Sequence, residues 1–225
     1  MAIIGMDAQV PPGRVVVVID VIRAFTTAAV AFERGAVEIA CAPSVQAGRD
    51  LRRRLPDRLL VGESHGLRPA DYDLGNSPFE MSTAPLAGRR LIQATSNGTV
   101  GLARCPAPVV LLAASARNVG ATARWITAHH AGVPWTILRT GRTTEDRACA
   151  GHLAALLGGS APDRADLVAG VRAGAAEHAG RYARKPASEK VDLSRDLSFC
   201  CDVDRSDFAM IGEVRDDHVA LTAVA

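Results

Sequence analysis

Five consecutive β-branched residues, Val15-Val16-Val17-Val18-Ile19, run into Asp20, and they restrict the fold more than any other feature. A strand that is apolar on both faces, without alternation, must be covered on both sides, as the interior strands of a helix-flanked parallel sheet are. The segments that follow keep to this scheme. Ala24 to Phe32 has a helical pattern closed by Gly35, Val37 to Cys41 is a second strand, Ser44 to Leu55 a second helix and Leu59 to Val61 a third strand. Further strands are expected at Arg90 to Ala94, Val109 to Ala113 and Trp135 to Leu138, each leading into a helical segment. In the last of these helices Cys149, Leu153, Leu156 and Leu157 share one face. The alternation predicts an α/β fold with a largely parallel sheet flanked by helices. The expected form is a three-layer α/β/α domain over residues 1–225, or two intimately packed α/β subdomains within it. Gly62 to Pro78 has no periodicity and reads as a long loop, the kind of connection that is usually functional or disordered. Pro162 to Arg184, rich in alanine and charge, predicts one or two surface helices, followed by a polar connection from Lys185 to Asp196.

Composition narrows the function classes. A net charge of +2 leaves no basic excess for nucleic acid. The cysteines, Cys41, Cys105, Cys149, Cys200 and Cys201, have neither CxxC spacing nor a His-paired zinc pattern, so reduced thiols in a cytoplasm are expected. Neither a leader pattern nor an apolar run of spanning length is present. A cytoplasmic protein is expected, without a membrane partner.

Ligands of open parallel sheets bind beyond the carboxyl ends of the strands, which gives five segments weight. In Asp20-Val21-Ile22-Arg23-Ala24-Phe25-Thr26-Thr27 a carboxylate ends the buried strand, and an arginine and two hydroxyls follow at a helix start. This is either a phosphate seat or a helix cap in which Asp20 pairs with Arg23. Gly62-Glu63-Ser64-His65-Gly66 sets a carboxylate between glycines. Asp73-Leu74-Gly75-Asn76-Ser77-Pro78 is a set of turn formers, an Asx-turn or a site. Thr95-Ser96-Asn97-Gly98-Thr99 can form an anion-binding backbone nest or a plain strand-to-helix turn. In Thr140-Gly141-Arg142-Thr143-Thr144-Glu145-Asp146, Thr143 or Thr144 can cap a helix whose first turn carries the two acids. Carboxylates recurring beside anion-binding groups suit Mg²⁺, which takes one or two carboxylates plus phosphate oxygens and water. The histidines other than His65 have no ligand spacing and read as structural.

These segments resemble the 2-phosphosulfolactate phosphatase family from about Val15 to Leu157. The pattern D-V-[LI]-R-A-[TS]-T-T stands as Asp20 to Thr27 and G-E-x-x-G as Gly62 to Gly66. D-L-G-N-S-P is intact at Asp73 to Pro78, and T-T-N-G-T appears as Thr95 to Thr99. A later asparagine before a helix is Asn118, and E-D-x-x-x-A-G is carried by Glu145, Asp146, Ala150 and Gly151. Phe25 and Ser96 depart from the pattern. The resemblance implies a Mg²⁺-dependent phosphomonoester hydrolase acting on a small anionic substrate. Expected catalytic residues are Asp20, Glu63 and Asn97, and expected metal ligands are Asp20, Asp73, Glu145 and Asp146. Arg23, Thr26, Thr27, Asn76, Ser77, Ser96, Gly98, Thr99 and Asn118 are expected on the phosphate or substrate, with Arg23 placed on phosphate rather than on Asp20. The residues leave open attack by a carboxylate or by metal-activated water. They also leave open an enzyme of this family for another phosphometabolite and, because of Phe25, a phosphate-ester-binding module without turnover. A second copy of the chain is the expected macromolecular partner.

Overall fold

A computed structural model describes residues 1–105 and 107–225 of the chain. In chain order its elements are β1 (Ala2–Gly5), β2 (Val15–Ile19), α1 (Ala24–Glu33), β3 (Glu38–Ala42), α2 (Val45–Arg54), β4 (Leu59–Gly62), β5 (Leu74–Gly75), α3 (Pro78–Thr83), β6 (Arg90–Ala94), α4 (Gly98–Ala103), β7 (Val110–Ala114), α5 (Val119–His129), β8 (Trp135–Arg139), α6 (Thr144–Leu157), α7 (Arg164–Ala183), α8 (Leu197–Cys200), β9 (Ala209–Val214) and β10 (Val219–Val224). The strands form one sheet in the order β1-β8-β2-β7-β9-β10-β3-β6-β4-β5.

The valine run is interior, as its composition requires: β2 pairs in parallel with both β7 and β8, and all five of its residues are buried. The sheet has two parallel groups, β1-β8-β2-β7 and β3-β6-β4-β5. The hairpin β9–β10 joins them by antiparallel pairing to β7 on one side and to β3 on the other. Each antiparallel junction reverses the strand sense, so the two groups point in opposite directions. The short edge strand β1, the two-residue β5 inside the expected loop and the hairpin were not foreseen. Their residues are few or interrupted by glycine, and long-range pairing defines them.

Val16 and Val18 of β2, Leu111 and Ala113 of β7, Ile39 and Cys41 of β3 and Leu91 of β6 share one apolar cluster with α1. α1 is apolar all round and nearly all buried, as a helix without a polar face must be. On the opposite faces, Val15, Val17 and Ile19 pack with Ile126, Leu153 and Val171 of α5, α6 and α7, and Ala40, Leu60 and Ile92 pack with Leu51 of α2. Phe25 is fully buried in the α1 cluster. It therefore removes no polar contact from a phosphate site, and the ground for a module without turnover disappears.

The alanine-rich segment is one helix, α7, which lies on α6. A Cβ on Gly174 would overlap Glu145 Oε2, and one on Gly170 would overlap Ala148. Gly174→Ala is expected to cost about 1–3 kcal/mol by pushing the two helices apart, read as a lower denaturation midpoint. No helix among the described residues is long and apolar enough to cross a membrane.

Candidate active site

A cavity of about 420 Å³ opens where the ends of β2, β4 and β6 meet the end of α7; its lining includes Asp20, Arg23, Glu63, Asn76, Ser96 and Asn97. β2 and β6 are not neighbours in the sheet. They are brought together because α4, which follows β6, starts against the end of β2: a Cβ on Gly98 would lie 3.0 Å from Asp20 Oδ2 and 2.5 Å from Ala24 Cβ. Only a residue without a side chain allows that approach.

Asp20 is, with Glu63, one of two buried carboxylates that line the crevice. Its Oδ1 accepts the Ala24 amide at 2.9 Å and its Oδ2 accepts the Thr140 hydroxyl at 2.9 Å. Burial, reinforced by the charges of Glu63 and Glu145, raises its pKa to about 6 against the lowering effect of these two bonds. The other feature of the first segment is Arg23, which the structure does not pair with Asp20. Its Nη1 donates to Asp196 Oδ2 at 2.9 Å and its Nη2 to the Gly66 carbonyl at 3.0 Å. Asp196 is tied in turn to the Ser77 hydroxyl at 2.5 Å and the Phe79 amide at 3.2 Å. Two loops and the C-terminal segment thus converge on one guanidinium.

Glu63 holds the adjoining turns together. It accepts the Ser96 amide at 2.6 Å, the Gly66 amide at 2.5 Å and the Ser96 hydroxyl at 3.0 Å. Asn97 is exposed to the crevice and makes no side-chain cap to its helix, which leaves its amide available to a ligand. Asn76 is buried, accepting from Gln93 at 3.4 Å.

Other expected site residues stand elsewhere. Thr26 donates to the Val21 carbonyl and Thr99 closes its own turn with Thr95, while the Thr27 hydroxyl is buried without a hydrogen-bond partner among the described residues; none of the three lines the crevice. Asn118 accepts the Ser115 amide and donates to Thr122, fixing the end of β7. Ser77 reaches Asp196 rather than the cavity. Asp73, expected at a metal, lies outside the crevice, where it accepts from the Leu60 amide and Arg52. Asp146 is buried behind Asp20 with its oxygens on the Val21 and Gly141 amides at 2.8 and 2.6 Å; burial and the charges of Asp20 and Glu145 push its pKa well up. Glu145 is also buried. Burial opposes its ionisation, but hydrogen bonds from His178 at 2.8 Å and Thr143 at 2.5 Å bring its pKa below the ordinary value.

Several residues of the site were missed. His178, read as structural, donates to Glu145 and accepts at Nδ1 from Arg181 at 3.0 Å. With Arg181, Tyr182 and Lys185 it lines the cavity. The spacing 178, 181, 182, 185 falls on one helical face, and that was the available signal.

Asp20 and Asp146 are both held above the ordinary carboxylate range, by burial first and then by neighbouring carboxylates, Glu63 and Glu145 for Asp20 and Asp20 and Glu145 for Asp146. No group of three His, Cys, Asp or Glu side chains able to hold a metal occurs among the described residues. The two carboxylates that line the crevice, Asp20 and Glu63, are a donor set that fits a divalent cation taking its remaining oxygens from ligand and water.

The description 2-phosphosulpholactate phosphatase matches residues 5–214. The chain is 46% identical over 90 residues to a Deinococcus radiodurans protein named probable 2-phosphosulfolactate phosphatase, covering 40% of this chain and 38% of that one. It is 37% identical over 146 residues to a Synechocystis protein of the same name, covering 63% and 61%. With a Gloeobacter violaceus protein, again so named, identity is 34% over 154 residues, covering 66% and 65%. The matched stretch is thus less than two thirds of each relative's own length. Since the family match takes in nearly every segment that builds the crevice, the chain belongs to the 2-phosphosulpholactate phosphatase family.

Proposed function

We propose that the protein hydrolyses a small anionic phosphomonoester, 2-phosphosulfolactate by analogy with the names of its relatives, releasing inorganic phosphate. The observation that carries this reading is the crevice itself, where the Asp20 carboxylate faces the Arg23 guanidinium and the exposed Asn97 amide. Arg23, held on two sides by Asp196 and the Gly66 carbonyl, offers its remaining N–H groups to phosphate oxygens without reorganisation. Asn97 and Ser96 add donors at the start of α4. Asp20 either attacks phosphorus, expelling the alcohol as the ester P–O bond breaks and giving an acyl phosphate that water then hydrolyses, or takes the proton of a water that attacks phosphorus as the alcohol leaves. In the cation-free protein burial raises the pKa of this carboxylate to about 6, so it is mostly ionised at pH 7 for either role. Trapping a phosphoenzyme decides between them.

Mg²⁺ is the cation this reading assigns, with Asp20 and Glu63, the two carboxylates lining the cavity, as the groups that would hold it. When bound it would neutralise charge on the phosphoryl oxygens. Glu145 and Asp146 then act from behind, Asp146 fixing the turns after β2 and β8 and Glu145 orienting His178. Two parallel α/β subdomains bridged by the hairpin β9–β10, in a cytoplasmic enzyme, complete the reading. The test is phosphate release from 2-phosphosulfolactate and a panel of small phosphomonoesters with Mg²⁺ or Mn²⁺; no release from any of them removes the proposal.

The raised pKa of Asp20 gives a metal test that does not depend on turnover. Between about pH 4 and pH 6 the folded, cation-free protein keeps this proton while the unfolded chain, near 3.8, has released it. The stability that this group contributes is therefore complete below about pH 4, lost as pH rises through about 6 and absent above. A divalent cation should restore it at pH 7, read as a higher melting temperature that Asp20→Asn abolishes.

A further inference from the structure

On the far side of Thr140 from Asp20 lies a second cavity of about 260 Å³, at the carboxyl ends of β1 and β8. Its lining includes Arg139, Arg142 and Arg147, with Asp7, Thr140 and Gly141. Three guanidinium groups around one small space repel each other, and among the described residues none of them is in a salt bridge. Arg147 reaches only the Arg142 carbonyl, at 3.3 Å. On α2, by contrast, Arg49, Arg52, Arg53 and Arg54 are each paired with an aspartate. The acids in the first turn of α6 do not compensate the cluster, because Glu145 and Asp146 point inward to His178 and to buried amides. Thr143, the residue before α6, gives its hydroxyl to Glu145 and caps no backbone N–H. One carboxylate against three guanidinium groups leaves a field that an anion relieves.

We propose that this cavity is a second anion site, taking a phosphate-sized oxyanion on Arg139, Arg142 and Arg147, separate from the crevice. Two of its wall residues hold carboxylates at and behind the crevice: Thr140 donates to Asp20, which lines it, and the Gly141 amide to Asp146, which lies behind Asp20. An oxyanion bound here stiffens the turn after β8, and its occupancy is coupled to the position of Asp20.

The test is a calorimetric titration of the full chain with inorganic phosphate, comparing wild type, Arg142→Ala/Arg147→Ala and Arg23→Lys. The wild type should bind two phosphates per chain. The arginine pair variant should lose one of them, with at least a tenfold weaker Kd, and Arg23→Lys should weaken the other. Both arginines of the pair are exposed, so the variant keeps its fold. An isotherm for the pair variant identical to wild type overturns the proposal. So does a change in sedimentation coefficient of the pair variant with phosphate binding unaltered, which would make these arginines a subunit interface. The titration reads binding and not turnover, so a protein that fails as a phosphatase can still pass it.

Discussion

Asp20→Asn is expected to lower phosphomonoester turnover on the order of 10³-fold or more while the protein stays folded and, at pH 7 without divalent cation, becomes no less stable. The amide retains an oxygen for the Ala24 N–H. Its NH₂ group meets the Thr140 hydroxyl, which can accept while donating to the Ile19 carbonyl, 3.1 Å away. The geometry therefore survives. What disappears is a buried negative charge that Glu63 and Glu145 oppose. Paired measurements of kcat and melting temperature separate the roles. A helix cap would leave turnover near wild type, and that result would take Asp20 out of the mechanism.

Asp196→Ala should have the largest effect on stability. The Arg23–Asp196 pair is 9% and 4% exposed, and removing one partner of such a pair leaves an uncompensated buried charge, a loss of about 3–5 kcal/mol. The Ser77 hydroxyl and the Phe79 amide lose their acceptor in the same step. Denaturant unfolding should show the drop, and any activity that remains should come with a raised KM, because the guanidinium is no longer aimed. Adding Arg23→Met to this variant should recover part of the stability and none of the phosphate affinity. A single variant that unfolds like wild type would mean that water replaces the pair. Arg23→Lys, with one ammonium in place of the fork, can satisfy Asp196 or the Gly66 carbonyl but not both together with phosphate, so weaker phosphate binding is expected there with a smaller stability loss.

Much of the parallel core was legible in the residues. β2, α1, β3, α2, β4, β6, β7 and β8 fall within a residue or two of where periodicity and turn formers put them, because each is a local apolar segment between breakers. β9 and β10 were not legible. They are strands because β7 and β3 offer them edges, and no spacing within the C-terminal segment encodes that.

The site divides along the same line. Asp20, Arg23, Glu63, Asn76, Ser96 and Asn97 stand out in the sequence because strand ends of a parallel sheet are where ligands bind, and the structure gathers them at one cavity. Thr26, Thr27, Thr99 and Asn118 have the right chemistry in the right segments. The Thr26 and Thr99 hydroxyls and the Asn118 amide nevertheless turn to nearby backbone, the competing partner that is always within reach of short polar side chains, and the Thr27 hydroxyl is buried in the core. Phe25 looked like a lost polar contact and is core. By itself the sequence determined which strand is interior, which strand ends carry the residues that line the crevice and which family the chain resembles, all of which depend on short-range pattern. Only the tertiary structure decided that Arg23 is held by Asp196, that the end of α7 brings His178 and Arg181 to the crevice, and that Gly98 lies on Asp20. The hydrogen bonds among these contacts join residues 33 and 173 positions apart, and they exist only once two oppositely directed halves of one sheet close on α1.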